Sequence, residues 1–273
     1  MSRLTRRIAM LPVVTGSPPA YDADASAYFA RMATDPGATR KGLINQLFLD
    51  LKAASVYSKA DAITLLASHE ASTGLLNLVS TSYPLSTVNG PTFTVDRGYQ
   101  GDGSSSYLTV SGYNQSVAAG KQYATLSASV FVYVNASTAP TTANANDLVI
   151  GTSAADEGPR FAPFSAAGTT LGRLNGSGTN VTAATGVSTR LGIGGMSRTS
   201  SGSMDFYRST TAVTVASTST GNTGTTVRLL NQSGSVFSPD RVGAFWIGGG
   251  LSTTEAAAVI TALTNYLTAI GAN

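Results

Sequence analysis

The stretch that decides the fold is Tyr123 to Val134, YATLSASVFVYV. Ala124, Leu126, Ala128, Val130, Val132 and Val134 alternate with Tyr123, Thr125, Ser127, Ser129, Phe131 and Tyr133, a period of two that predicts a β-strand with one purely aliphatic face. That face belongs on a core. The other mixes hydroxyls with two aromatics and is read either as half-covered or as a surface.

Downstream the same signal recurs in short runs. Strands are predicted at 148–151, 170–174, 190–196, 204–208, 212–216, 225–230 and 242–247. Asn175-Gly176, Ser200 to Gly202 and Gly221 to Gly224 separate them with residues suited to hairpin turns, and no long helical pattern intervenes to make a parallel sheet. An antiparallel sandwich is the expected result. Trp246, in the apolar run just before the last element, is read as core that anchors helix to sheet. The Gly248-Gly249-Gly250 run lacks the Lys-Ser/Thr of a phosphate loop and is read as a tight connection.

Helical patterns flank this region. DADASAYFARM, with acidic residues at its front, predicts a first helix after Tyr21, and Asp35-Pro36 offers a cap and a first-turn proline for a second. In KGLINQLFLDLKAA, Leu43, Ile44, Leu47, Phe48 and Leu51 make one apolar stripe. A third helix is predicted from Ser58 to about Ala67, because Ser58 and Asp61 have capping-box spacing and Ile63, Leu65 and Leu66 supply a buried side; His69-Glu70 then falls at its end. At the far end Ser252-Thr-Thr-Glu255 is a full capping box. Val259, Ile260, Leu263, Leu267 and Ile270 follow as an apolar stripe, with Thr261, Thr264, Asn265 and Thr268 opposite, so the segment should pack on protein rather than enter a membrane. Three regions result: an extended arm at 1–20, a helical region at 21–74 and a sandwich with its C-terminal helix at 75–273.

Composition narrows the chemistry. Of 273 residues 11% are charged, where about 25% is usual, and about a quarter are Ser or Thr. There is no cysteine, so disulfides, thiolate nucleophiles and Cys-based zinc sites are excluded. Glu70, Glu157 and Glu255 are the only glutamates and His69 the only histidine, which leaves few candidates for acid-base work. The formal charge of +3 is carried by Arg3, Arg6 and Arg7 in the arm. Elsewhere basic residues such as Arg97 and Arg228 stand singly, so no nucleic-acid-binding stripe is expected. The arm's apolar part, Ile8 to Leu11, is cut by Pro12 and is too short for a secretory signal; it is read as a docking arm.

FTVDRGYQGDGSSSYLTV at 93–110, ATLSASVFVYV at 124–134, DFYRSTTAV at 205–213 and VGAFWIGGGLSTTEAAAVITALTNYLTAIGA at 242–272 resemble the successive landmarks of a laminin G-like, concanavalin A-like jelly roll. Joined to the preceding GLINQLFLDLKAASVYSKADAITLLASHEASTGLLNLV, they resemble tailed-phage and prophage structural proteins of tail or fibre genes, over about residues 40 to 272. The resemblance implies a mainly β fold and a non-enzymatic virion protein, tail or fibre associated, whose sandwich contacts a host-surface glycan or coats other virion subunits. Other virion structural proteins and further copies of the chain are the implied partners. Arg3, Arg6, Arg7 and Ile8 are then the candidate attachment residues, and Tyr99, Tyr113 and Tyr207 the candidate glycan platforms. A mean hydropathy of +0.10 suits a permanently assembled subunit.

Three rival readings remain: a capsid-decorating or head-fibre protein, a polysaccharide-degrading jelly-roll enzyme, and a free carbohydrate-binding module. For the enzyme, Asp147, Asp156 and Glu157 are the acids to inspect, although the Glu-x-Asp-x-x-Glu strand motif of jelly-roll glucanases is absent. Asp96, Asp102 and Asp147 are scattered oxygen donors without the spaced loop that calcium sites show, so no metal, cofactor or catalytic residue is assigned.

Overall fold

The computed structural model describes residues 20–116, 120–138, 150–152, 158–166, 169–176, 180–222, 226–232 and 236–272. Helices α1 (Ala23–Phe29) and α2 (Ala38–Ala53) open the chain. They are followed by β1 (Ala60–Thr64), β2 (Leu85–Val88), β3 (Thr92–Thr94), β4 (Gly98–Gln100), β5 (Tyr107–Asn114), β6 (Ala128–Ala136), β7 (Ile150–Gly151), β8 (Arg160–Ala166) and β9 (Thr169–Arg173). Then come β10 (Val181–Ala183), β11 (Gly192–Arg198), β12 (Ser203–Tyr207), β13 (Ala212–Ala216), β14 (Thr226–Leu229), β15 (Asn231–Gln232), β16 (Val236–Phe237), β17 (Arg241–Gly248) and helix α3 (Thr253–Ala269).

One sheet runs β13-β12-β11-β6-β17-β4-β3, with β1 also paired to β17; the other runs β10-β9-β8-β7-β14-β5-β2; β15 and β16 form a separate ribbon. The pairings are antiparallel, and the two sheets stack as a jelly-roll sandwich. The chain is therefore a mainly β protein with helices at its N- and C-terminal ends.

Strand β6 shows why the layers lie where they do. Val130, Val132 and Val134 enter the core between the sheets with Leu108, Val110, Phe161, Phe206 and Phe245. Phe131 and Tyr133 point the other way, into a second apolar cluster with Phe48 and Leu51 of α2 and Val259, Leu263 and Leu267 of α3. The mixed face left open by the sequence is thus covered by helices, giving three layers. Each such aromatic or branched side chain contributes about 1.5–3 kcal/mol when fully buried. Trp246 belongs to the helix-side cluster, and its indole N–H donates to Ser129 Oγ at 2.9 Å. Leu126, counted in the alternation, lies before the strand and is 48% exposed.

The capping box of α3 forms: Ser252 Oγ accepts the Glu255 N–H, and Glu255 accepts the Ser252 N–H at 2.9 Å. The second helix starts later than Asp35-Pro36 implied. Its N-cap is Gly37, at φ +82°, while Asp35 accepts the Gly37 N–H at 2.7 Å.

The predicted third helix is not a helix. Residues 57–59 make one 3-10 turn and Ala60–Thr64 is a fully buried strand, with Ile63 opposite Trp246. A short apolar run covered on both faces has no period-two signature, so a strand there mimics the buried side of a helix. His69 and Glu70 accordingly lie in the loop after β1, not at a helix end. Among the described residues, no helix is long and apolar enough to cross a membrane.

Candidate functional site: a polar groove beside Asp61

None of the three candidate glycan platforms presents its ring to solvent. Tyr99 is 3% exposed and its hydroxyl donates to the Ala71 carbonyl at 2.7 Å; Tyr113 is 2% exposed; Tyr207 is fully buried, its ring centroid 5.6 Å from that of Phe131. Contrary to the expectation from sequence, each is a packing tyrosine, since a ring without an open face has nothing to stack on. Arg3, Arg6, Arg7 and Ile8 lie outside the described residues, as do Asp147, Asp156 and Glu157.

Asp96, Asp102 and Glu70 are engaged within the fold. Arg40 pairs with Asp96 at 2.5 Å. Asp102 accepts the backbone N–H groups of Ser104, Ser105 and Ser106 and the Ser105 hydroxyl, donors that hold its carboxyl well below the usual range. Hydroxyls of Thr73 and Thr34 lower the Glu70 carboxyl to about 2. His69 Nε2 lies 3.1 Å from Thr34 Oγ1, in a local network. Among the described residues no three His, Cys, Asp or Glu side chains are grouped to hold a metal ion.

A polar concavity does form where the helical layer meets the sandwich. It is a groove of about 470 Å³ lined by Tyr57, Ser58, Asp61, Ser80, Tyr83 and Gln122 among others. Grooves of about 210 and 500 Å³ between α2 and α3 mix alanine and leucine, such as Leu47, Ala54, Ala258 and Ala262, with Asp50 and Asn265. The first of the three, where two tyrosines, serine hydroxyls, a carboxylate and an amide line one concavity, is the candidate site.

Three segments build it. The 3-10 turn at 57–59 and the start of β1 supply Tyr57, Ser58 and Asp61. Residues 79–83 form a second wall, held from inside by Asn77, whose Oδ1 accepts the N–H of Ile63 and of Val79 (both 3.0 Å) and whose Nδ2 donates to the carbonyls of Asp61 (3.0 Å) and Ser82 (2.9 Å). With all four hydrogen-bonding positions of a buried amide used, this loop is fixed to β1. From outside, Arg31, in the turn after α1, donates to the carbonyls of Ser80 (2.6 Å) and Leu78 (3.2 Å). The third segment, ahead of β6, supplies Gly120 and Gln122 and is tied down by Asp61 itself.

Asp61 is 6% exposed. Its Oδ1 accepts the Gln122 N–H at 2.5 Å, and its Oδ2 accepts the Tyr113 hydroxyl at 2.9 Å and the Tyr123 N–H at 3.0 Å. Burial pushes its carboxyl above the ordinary value, and the three donors oppose that rise without cancelling it. The ammonium of Lys121 lies 4.9 Å from the Tyr113 ring centroid, and its burial lowers its proton affinity. Tyr83 adopts φ +58°, a conformation that costs a bulky residue about 1–2 kcal/mol. Its ring meets Tyr113 edge-on at 5.0 Å.

No protein-family profile and no curated protein matches this sequence. Solved structures do share the fold. The binding domain of botulinum neurotoxin serotype D is similar at a TM-score of 0.50 and 10% identity, over 76% of this chain and 52% of that one. Domain 4 of AbnA, a GH43 extracellular arabinanase from Geobacillus stearothermophilus solved with arabinotriose, is similar at 0.42 and 14% identity, over 73% of this chain and 100% of that one. A Trypanosoma rangeli sialidase mutant gives 0.45 and 9% identity, over 85% of this chain and 40% of that one. The chain spans about half the length of the neurotoxin binding-domain chain it matches. At such identities the likeness is one of fold.

Proposed function

We propose that this chain is a non-enzymatic structural component of a tailed-phage virion, associated with the tail or its fibres, whose sandwich binds a host-surface glycan. The sequence resemblance over about residues 40 to 272 supports the virion assignment. The observation that carries the binding assignment is the Asp61 groove, where hydroxyl, carboxylate and amide groups converge on a rigid frame between two tyrosines. In support of a binding role rather than catalysis, Asp61, Asp96, Asp102 and Asp240 are each engaged by donors within the fold. Attachment to other virion proteins is assigned to the basic arm, with Arg3, Arg6, Arg7 and Ile8 as its contacts, and self-association into an oligomer completes the reading.

The test is to label this protein in purified particles, comparing the full chain with one lacking residues 1–20, and to screen both on immobilised bacterial polysaccharides. Label at tail or fibre, lost on truncation, together with glycan retention by both forms, is the expected result. Many copies coating the head would replace the tail assignment with decoration. Absence from particles would overturn the virion reading, and release of reducing sugar from a retained polysaccharide would overturn the non-enzymatic one.

A further inference from the structure

We infer that the Asp61 groove takes an uncharged sugar ring, a neutral hexose unit of a polysaccharide, with ring hydroxyls at Asp61 and Gln122 and the ring's apolar face toward Tyr83. This rests on the glycan-binding part of the proposal above and narrows its ligand class and site.

The argument is one of charge and valence. Asp61 is the one ionisable carboxylate among the lining residues, and no Lys or Arg lines the groove with it. Of the nearby cations, Lys52 is paired with Asp22 and Asp24, Lys59 with Glu255, and Arg31 with two carbonyls; Lys121, packed over the Tyr113 ring and electrostatically coupled to Asp61, is not among the lining residues. An acidic sugar would therefore bring its carboxylate against Asp61 with no wall cation to offset the repulsion. A neutral sugar brings hydroxyl donors. An ionised carboxylate has about four acceptor sites, and three donors already reach Asp61, so one site remains for a ligand hydroxyl. Ser58, Ser82 and Gln122 are exposed along the groove and add groups that donate and accept alike.

Preorganisation supports the same conclusion. Asn77 and Arg31 fix the 79–83 wall and Asp61 fixes 122–123, so ligand binding does not have to order these segments. Tyr83 is held by its contact with Tyr113 in a backbone conformation it would not choose alone, which sets the orientation of its ring.

The experiment titrates the full chain with neutral probes (methyl glycosides and short oligosaccharides of glucose, galactose and N-acetylglucosamine) and acidic ones (sialic acid and glucuronate). Amide shifts of Tyr83 and Gln122 and calorimetric affinity are read. Two wall-filling variants at exposed positions, Ser82→Trp and Ser58→Trp, are compared after far-UV circular dichroism confirms folding. The expected result is that a neutral probe shifts Tyr83 and Gln122, that acidic probes bind at least about tenfold more weakly, and that both variants weaken the neutral probe about tenfold or more, a loss of about 1.4 kcal/mol. Equal or tighter binding of acidic probes overturns the ligand class. Sugar binding untouched by both variants overturns the site while leaving glycan binding standing. Silence of every probe and of intact host polysaccharide overturns the glycan reading and this inference together.

Discussion

Asp61 accepts the backbone N–H of Tyr123 at 3.0 Å, although 62 residues separate them. The bond ties the first strand to the segment that leads into β6, and with the Gln122 N–H and the Tyr113 hydroxyl it makes one carboxylate the junction of three chain segments. Asp61→Ala would leave these donors without their acceptor and should cost about 2–4 kcal/mol, with Asp61→Asn intermediate. Urea unfolding followed by fluorescence of Trp246 measures both, because that indole is the only one in the chain and is fully buried.

The same carboxylate sets a pH dependence of defined sign. Burial raises its folded-state pKa above the ordinary 3.8, so the folded chain holds this proton more tightly than the unfolded one. The resulting stability is complete below the unfolded value and is lost as pH rises through the raised one. Wild type should therefore gain on Asp61→Asn as pH falls from 7 toward 3. A difference in unfolding free energy that stays flat across this range would remove the assignment.

Glu70 acts in the opposite direction. Its pKa is lowered from 4.5 to about 2, so its contribution is present above 4.5 and disappears as pH falls through about 2. Glu70→Gln should flatten the acid limb of the melting-temperature profile in that window, with little change at pH 7 beyond the loss of its bonds to Thr34 and Thr73.

Arg190 and Asp240 form a pair that is 1% and 0% exposed, with Nη2 to Oδ2 at 2.5 Å and Nε to Oδ2 at 3.1 Å. Arg208 lies close by, its pKa lowered to about 10 first by burial and then by Arg190. Asp240→Ala should cost about 3–5 kcal/mol, since it leaves guanidinium charge buried without its carboxylate. The double replacement Arg190→Met with Asp240→Leu should cost less than the sum of the single changes. A double-mutant cycle read by urea unfolding tests the coupling.

At the last helix, Ser252→Ala removes one half of the reciprocal cap with Glu255 and should lower stability by about 1 kcal/mol, whereas Ser252→Asp should restore most of it. Calorimetric melting of the three proteins decides this.

These residues also show how far a sequence can be read. Val130, Val132 and Val134 against Phe131 and Tyr133, and Ser252 with Glu255, carry local periodic or spacing signals, and the strand and the helix followed from them. The strand at β1 was hidden because Ala60 to Thr64 is buried on both faces, and Asp61 imitated a cap residue while its carboxylate serves partners 52 to 62 residues away. Tyr99, Tyr113 and Tyr207 looked like glycan platforms because residue type does not report exposure. The groove itself draws on residues near 57–61, 79–83 and 120–122, none of which forms a motif alone. Its best local sign was Asn77, a lone amide within an apolar stretch, whose purpose becomes visible only once both flanking segments are in place.

The position of β17 bears on how the chain is made. It lies between β6 on one side and β4 and β1 on the other, so its hydrogen bonds complete the middle of the larger sheet. During synthesis every partner strand emerges before it does. Until residues 241–248 leave the ribosome, β6, β4 and β1 have unpaired edges and the helix-side cluster lacks Trp246, leaving a nascent chain with exposed apolar strands that invites chaperone binding or edge-to-edge aggregation. Such a closure depends on contacts distant in sequence, which slows folding and makes insertion of that one strand the step that removes the exposed edges.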